Sequence, residues 1–338
     1  MKSALLVAAV LAISLVAHQA HAIGCLDENG HAVDWWIVYK LPNVHGNSAS
    51  QEGFGYAYTD PSTSLHITGR SLKNTGALWY TLNQVYSGQE GYVMWNDETP
   101  DGKTSSTHAH AKGVMGYTST GGFLLRHSTP RFPPDRSQGY SGLPQDEHIY
   151  GQTYICTSVP LATLNQIAGQ YLITNVLLYG ANTPSYASSY RNLTSFASGN
   201  VARGSNQSIY FKSVAGTTFY DMSKSKECDC DLWDRVAWSV AQPLNVLSWG
   251  RPLEPSTCPS GFGFQVLNVK DVNWAGVISY KETQEHSKWA VFGNHRYLCI
   301  GDINRMESQK KRGGGTTCIN SVPVATAFAK LIAQLETC

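Results

Sequence analysis

Charge is scarce in this sequence. Asp, Glu, Lys and Arg make up only 14% of 338 residues, against 42% hydrophobic ones, which excludes a disordered, solvating chain. A standing excess of positive charge is also missing, with 25 Lys and Arg against 24 Asp and Glu. The chain is therefore not a permanently basic binder of nucleic acid. Beyond residue 22 no apolar run approaches the length of a transmembrane helix, which excludes stable membrane insertion of the mature protein. No short-period repeat is present. Neither a CxxC nor an HxxxH accompanies Cys228-Asp229-Cys230, so zinc is the weaker reading of that element.

What is present begins with a leader. Lys2, the apolar stretch Ala4 to Val16 and the small-x-small site Ala20-His21-Ala22 mark residues 1–22 as a secretory signal. Its removal takes Lys2, His18 and His21, leaving 24 bases against 24 acids and nine His. If all nine protonate in an acidic compartment, the charge approaches +9 and attraction to phosphate grows. The eight Cys, at 25, 156, 228, 230, 258, 299, 318 and 338, are an even number in a secreted chain and imply disulfides. Their connectivity does not follow from spacing. Cys228 and Cys230 can bridge locally, pair elsewhere or stay reduced. The sequons at Asn192 and Asn206 lie in a Ser/Asn/Gly-rich stretch, read as an exposed glycosylated loop.

The 18 Tyr and 9 Trp favour a sheet-rich protein with large buried aromatics. An apolar strand ends at Pro42, and residues 43–77 read as hairpins or loops. Ala77 to Tyr86 reads as a helix, and Tyr92 to Asn96 as a strand. Asp97 to Thr107 is a polar loop open to proteolytic nicking, which delivers His108 and His110 to the surface. Lys112 to Tyr117 and Phe123 to Arg126 read as strands, and Pro130 to Pro144 as an irregular connection. Leu161 to Leu172 is a helix and Ile173 to Tyr179 a strand, followed by a polar stretch over 180–208. Asp231 to Ala241 is a helix. Leu244 to Trp249, Phe264 to Val269, Lys288 to Phe292 and Tyr297 to Ile300 are strands. Arg312 to Gly315 reads as a flexible turn. A last helix is capped by Ser321, with Pro323 in its first turn and a stripe of Val324, Phe328, Leu331, Ile332 and Leu335. Trp35, Trp36 and Tyr39 stack on bases if exposed and pack a core otherwise.

One pattern occurs twice. His110-Ala111-Lys112 and His286-Ser287-Lys288 each place a Lys two residues after a His, and in an extended strand both side chains would share a face. An imidazole beside a fixed cation suits phosphodiester chemistry: the Lys holds a phosphate oxygen while the His attacks phosphorus or moves a proton. After each pair come a strand, a turn, a second strand and a polar cluster, with His127 and Ser128 in the first copy and Asp302 and Asn304 in the second. Two such halves can meet across a pseudo-twofold axis and make one site. His108, His31, His45, His66, His148 and His295 fit no such pattern, and Asp34 and Lys40 receive no role.

Read with its flanking blocks, the chain resembles the deoxyribonuclease II family, the acid DNases of the phospholipase D superfamily. The blocks are Val33 to Pro42, HAKGV at 110–114, GGFLLRHSTPRFPP at 121–134, YGQTYICTSVP at 150–160, HSKWAV at 286–291, GDINR at 301–305 and RGGGTTC at 312–318. The resemblance implies an α/β fold of phospholipase D type, with two pseudo-twofold halves, each a mixed sheet flanked by helices. Those halves are expected near 23–180 and 209–338, joined by the glycosylated stretch. It implies a DNA endonuclease that needs no metal or other cofactor and leaves 3′-phosphate and 5′-hydroxyl ends through a phosphohistidine. It makes His110, Lys112, His286 and Lys288 the catalytic set, leaning to His110 as nucleophile, and adds His127. Ser128, Asp302 and Asn304 become orienting or phosphate-binding groups. It implies the pairings Cys25–Cys156, Cys258–Cys338 and Cys299–Cys318. The expected partner is DNA, the chain a monomer or homodimer, and the setting lysosomal or secreted. The CDC element and the segment WAVFGNHRY, with His295 and Arg296, depart from the family pattern. The rivals are a phospholipase D-type phosphodiesterase acting on lipid, and a catalytically silent secreted DNA-binding or toxin protein.

Overall fold

The structure is a computed structural model that describes residues 23–88, 90–259 and 263–338. The leader expected over 1–22 lies outside the described residues. The chain runs first through β1 (Trp35–Lys40), β2 (Gly55–Thr59), β3 (His66–Ser71), α1 (Ala77–Ser87), β4 (Gly91–Asn96), β5 (Lys112–Tyr117), β6 (Gly121–His127), β7 (Gln152–Pro160), α2 (Leu161–Tyr171), β8 (Leu178–Asn182) and α3 (Arg191–Ala197). It continues through β9 (Asn206–Lys212), β10 (Thr218–Lys224), α4 (Leu232–Val240), β11 (Leu244–Leu247), β12 (Val266–Asn273), β13 (Ser279–Lys281), β14 (Trp289–Phe292), β15 (Tyr297–Gly301), α5 (Glu307–Lys310), β16 (Gly314–Asn320), α6 (Val322–Ala329) and β17 (Ile332–Leu335).

The strands form two sheets. The first has the order β3-β2-β1-β7-β6-β5-β4-β8, and the second β13-β12-β11-β14-β15-β16-β10-β9, with β17 added beside β12. A mixed sheet was expected in each half; only the second is mixed, through the parallel β11/β12 pair. Every pairing in the first sheet is antiparallel. A parallel pair needs a long crossover, and residues 248–265 supply one only after β11.

Alternation along the strands builds the layers. In β1, Trp35, Ile37 and Tyr39 face the core between the sheets, while Trp36 and Val38 face the outer side and α1. All three candidate stacking aromatics are therefore core. The helix α1 covers the outer face of the first sheet with Leu78, Leu82 and Val85. The helix α4 covers that of the second with Leu232, Trp233, Val236 and Ala237, and its N-cap Asp231 accepts from the Trp233 and Asp234 amides at 2.8 and 3.0 Å. Between the sheets lie α2, α3 and α6.

Several elements differ from the sequence reading. The strand expected over 173–179 begins only at Leu178. The polar stretch 180–208 is not simply a loop: α3 buries Leu193 and Phe196 against α2, and Phe196 stacks on Tyr171 at 5.4 Å. Asn192 lies on α3 and Asn206 opens the edge strand β9, both half-buried. The supposed flexible turn before Cys318 is the start of β16. The last helix stops at Ala329, and Ser321 gives it no side-chain cap. Ile332 and Leu335 instead pair with Val272 and Val269 of β12. The free edge of β12 and the Cys258–Cys338 bridge hold this segment extended, and their hydrogen bonds outweigh helical periodicity.

Disulfides join Cys25–Cys156, Cys258–Cys338 and Cys299–Cys318, and Cys228 bridges locally to Cys230. Four bridges fit a protein of the secretory pathway. Among the described residues no helix is long and apolar enough to cross a membrane.

Candidate active site

Neither His-x-Lys pair lies wholly within a strand: β5 starts at Lys112 itself, two residues after His110, and β14 starts at Trp289, directly after Lys288. What fixes each histidine is the other sheet. The His110 amide donates to the Gly313 carbonyl at 2.9 Å, just ahead of β16. The His286 amide donates to the Gly151 carbonyl, also at 2.9 Å, just ahead of β7. Both acceptors are glycines because a Cβ would collide, at Gly313 with the Thr174 carbonyl and at Gly151 with the Glu285 carboxyl. The two pairs therefore meet at the seam between the sheets.

Electrostatics shows the same convergence. His286 is pushed down to about 3, by burial first and then by Lys288, Lys112, Lys40 and Arg251. His110 lies well below the usual imidazole range: burial dominates, Asp97 opposes it, and Lys112, Lys288 and Arg312 add to it. Each lysine thus acts on the histidine of the opposite pair. Lys288 is itself brought down to about 7, by burial and then Lys112, against the pull of Asp97, Asp302 and Glu98. This concentration of positive charge in a covered place favours an anion.

The lysines are not equivalent. Lys112 is ion-paired with Asp97, whose other oxygen accepts from Arg312 Nη2 at 2.8 Å. Burial works against the Asp97 carboxylate, but Lys112, His110 and Arg312 hold it well below the usual carboxylate range. Lys288 makes no ion pair among the described residues, so its charge is the freer to meet a ligand.

The histidine rings are held differently. His110 Nδ1 lies 2.9 Å from Gln309 Oε1. His286 is stacked on Tyr150, with centroids 3.9 Å apart and planes at 8°, and meets Trp249 edge-on at 5.5 Å. Behind Tyr150, buried Lys40 donates to the Tyr150 and Gly53 carbonyls at 2.6 and 2.7 Å, and burial brings this ammonium down to about 7. Glu285, fully buried beside His286, accepts from Tyr39 Oη at 2.7 Å and from Ser287 Oγ, and burial raises its carboxyl to about 7.

The other expected site residues lie at the ends of β6 and β15 or just beyond them. His127 is fully buried at the end of β6 against Phe132 and Tyr154, with both ring nitrogens unpartnered. Burial and then Lys112 bring it down to about 3. Ser128 donates to Gln152, Asp302 accepts from Arg126 and from the Gly315 amide, and Asn304 Oδ1 has no partner. None of these three bonds to His110 or His286. Gln309, Trp249 and Asp97 are not legible in the sequence as site residues. Tyr150 and Arg312 head two of the family blocks, and Lys40 and Glu285 lie within or beside one. Gln309 is 199 positions from His110, and nothing local marks it. Among the described residues no three His, Cys, Asp or Glu side chains gather as a metal set.

The family model for deoxyribonuclease II matches residues 24–338. The sequence is 31% identical to deoxyribonuclease-2-alpha of Mus musculus, with 94% of each chain covered. It is 33% identical to plancitoxin-1 of Acanthaster planci over 94% of this chain and 93% of that one. With cell-death-related nuclease 7 of Caenorhabditis elegans the identity is 32%, over 94% and 88%.

Proposed function

The chain belongs to the deoxyribonuclease II family and is an endonuclease of that type; from that premise we propose that it hydrolyses DNA at the seam by a two-histidine mechanism that leaves 3′-phosphate and 5′-hydroxyl ends. The observation that carries this reading is the reciprocal tie of His110 to Gly313 and of His286 to Gly151. A pseudo-twofold relation between the halves is part of the proposal. The order β1-β7-β6-β5-β4 of the first sheet is matched by β10-β16-β15-β14-β11 of the second. The helices α1 and α4 precede β4 and β11, and α2 and α6 follow β7 and β16. In this correspondence His110 and His286 precede equivalent strands, and their glycine acceptors precede another equivalent pair.

In the first step one imidazole attacks phosphorus. The new P–N bond forms as the P–O5′ bond breaks, and the other imidazole gives its proton to the departing oxygen. In the second step that imidazole takes a proton from water. The hydroxide attacks phosphorus, the P–N bond breaks, and a 3′-phosphate leaves. Lys288 and Lys112 hold the non-bridging oxygens and offset the charge that develops on them. His127, buried within the field of Lys112, belongs to the support of this group. Burial first, and then the neighbouring lysines, lowers the proton affinity of both histidines. A phosphodiester anion held by the lysines offsets the second of these causes, so proton loading of the acid is favoured with substrate bound and gains at low pH. Such an enzyme suits a lysosomal or secreted setting.

The test is cleavage of plasmid DNA in EDTA at pH 5 and pH 7.5, with wild type and His286→Ala. Cleavage at pH 5 despite EDTA, lost in the variant, is expected. Cleavage that disappears with EDTA would sink the two-histidine reading.

A further inference from the structure

We propose that Gln309 is the positioning residue that fixes the tautomer of His110, making His110 the nucleophile and His286 the proton carrier. This rests on the two-histidine reading and adds the assignment of roles within it. Gln309 Oε1 has only acceptor capacity, so at 2.9 Å it accepts a hydrogen bond from His110 Nδ1 and keeps the proton on that nitrogen. The ring then presents Nε2 with its lone pair free, which is what attack on phosphorus requires.

The contact is built rather than incidental. Gln309 lies on α5, in a segment that the second sheet and the first hold from opposite sides. Lys224, buried at the end of β10, donates to three carbonyls there: Gln309 at 3.1 Å, Lys310 at 2.9 Å and Arg312 at 2.6 Å. Arg312 reaches across to the first half, donating to the His108 carbonyl at 2.9 Å and to the Ser105 carbonyl and Asp97 at 2.8 Å each. Lys310 is tied to Glu254 at 2.8 Å. The segment that carries Gln309 thus grips the backbone just before its target, at Ser105 and His108, and is followed by Gly313, whose carbonyl takes the His110 amide.

His286 is held in the opposite manner. Neither ring nitrogen has a hydrogen-bond partner among the described residues, and the ring is positioned by the faces of Tyr150 and Trp249. Stacking fixes the plane and leaves the protons free to come and go. A nucleophile needs one lone pair held in place, whereas a group that first gives and then takes a proton needs to exchange it. The two environments divide along that line.

The test uses a thymidine 3′-(p-nitrophenyl phosphate) diester, whose leaving group needs no proton, with the full-length protein. His286→Ala is expected to release one equivalent of nitrophenolate in a burst and to carry the phosphoryl group on His110, mapped by peptide mass spectrometry. His110→Ala is expected to give no burst. In the His286→Ala background, Gln309→Met, which fills the space without an acceptor, slows the burst about 10–100-fold. Gln309→Glu, an acceptor only, restores it to within tenfold of the parent and moves its acid limb to higher pH, because a carboxylate stabilises the imidazolium. A purely structural role would depress both substitutions alike. Equal loss in both, no loss in either, or phosphoryl found on His286 would overturn the assignment and leave the two-histidine reading standing. Absence of a burst from both single histidine variants would overturn that reading itself.

Discussion

At the scale of single residues, the site keeps ionisable groups in disfavoured forms. Glu285 is the clearest case. Its carboxyl is raised to about 7 by burial, so the folded protein takes it up neutral. The stability this represents is fully present below the ordinary carboxyl value, declines as pH rises toward 7, and is gone above it. The shift corresponds to roughly 3 kcal/mol. Glu285→Gln, which copies the neutral carboxyl, is therefore expected to melt with wild type at pH 5 and several degrees above it at pH 8, in thermal unfolding at both values. A uniform change at the two pH values would refute the argument. Lys288 supplies a second case. Burial is the first cause of the low His286 value and Lys288 the second, so Lys288→Met should raise the imidazole above about 3, read from its ring carbon shifts in a pH titration by NMR. An unmoved titration would mean that burial alone sets it. The His-x-Lys pairs were legible because each is written within three consecutive residues. Gln309 and Trp249 are not, because what brings them to the rings is packing between distant parts of the chain.

At the scale of elements, the two sheets are cross-linked by one guanidinium. Arg126 of β6 is fully buried and meets Asp221 of β10 at 3.1 Å, Asp302 beyond β15, and Thr317 of β16 at 3.1 Å. Removing the cation leaves two buried carboxylates without their partner, a loss of about 3–5 kcal/mol in comparable cases. Arg126→Met should lower the denaturant midpoint accordingly, and a change below about 1 kcal/mol would show that water or rearrangement replaces the guanidinium. In the sequence Arg126 is the end of a strand within the block 121–134, with nothing to mark its partners. The helices α1, α2 and α4 are legible there, because their apolar stripes are long and face one layer each. The strands β16 and β17 are not. Gly314 and Gly315 look like a turn but pair with Lys224 and Ser223. Ile332 and Leu335 fit a helical stripe and a strand edge equally, and only β12 decides between them.

At the scale of the whole molecule, composition suggested nine histidines charging together in acid. Three of them, His110, His127 and His286, are held down by burial first, so the free protein gains less charge than the count implies. On the two-histidine proposal, part of that proton uptake accompanies substrate binding. Calorimetry of DNA binding at pH 5, with a variant that binds but cannot cut, in buffers of differing ionisation enthalpy, should show net uptake of at least about one proton per site. A value of zero would mean that DNA leaves the protonation of the histidines unchanged, against the proposal. A last consequence concerns maturation. The exposed tip at Asp101–Gly102 lies between Cys25 and Cys156, and its two flanks are bound to each other, Ser105 donating to the Asp97 carbonyl at 2.8 Å. A protease cutting there would produce two polypeptides that travel as one until reduced, with the anchor of Lys112 still in place. Processed and intact forms would then differ on a reducing gel and not in their turnover of DNA.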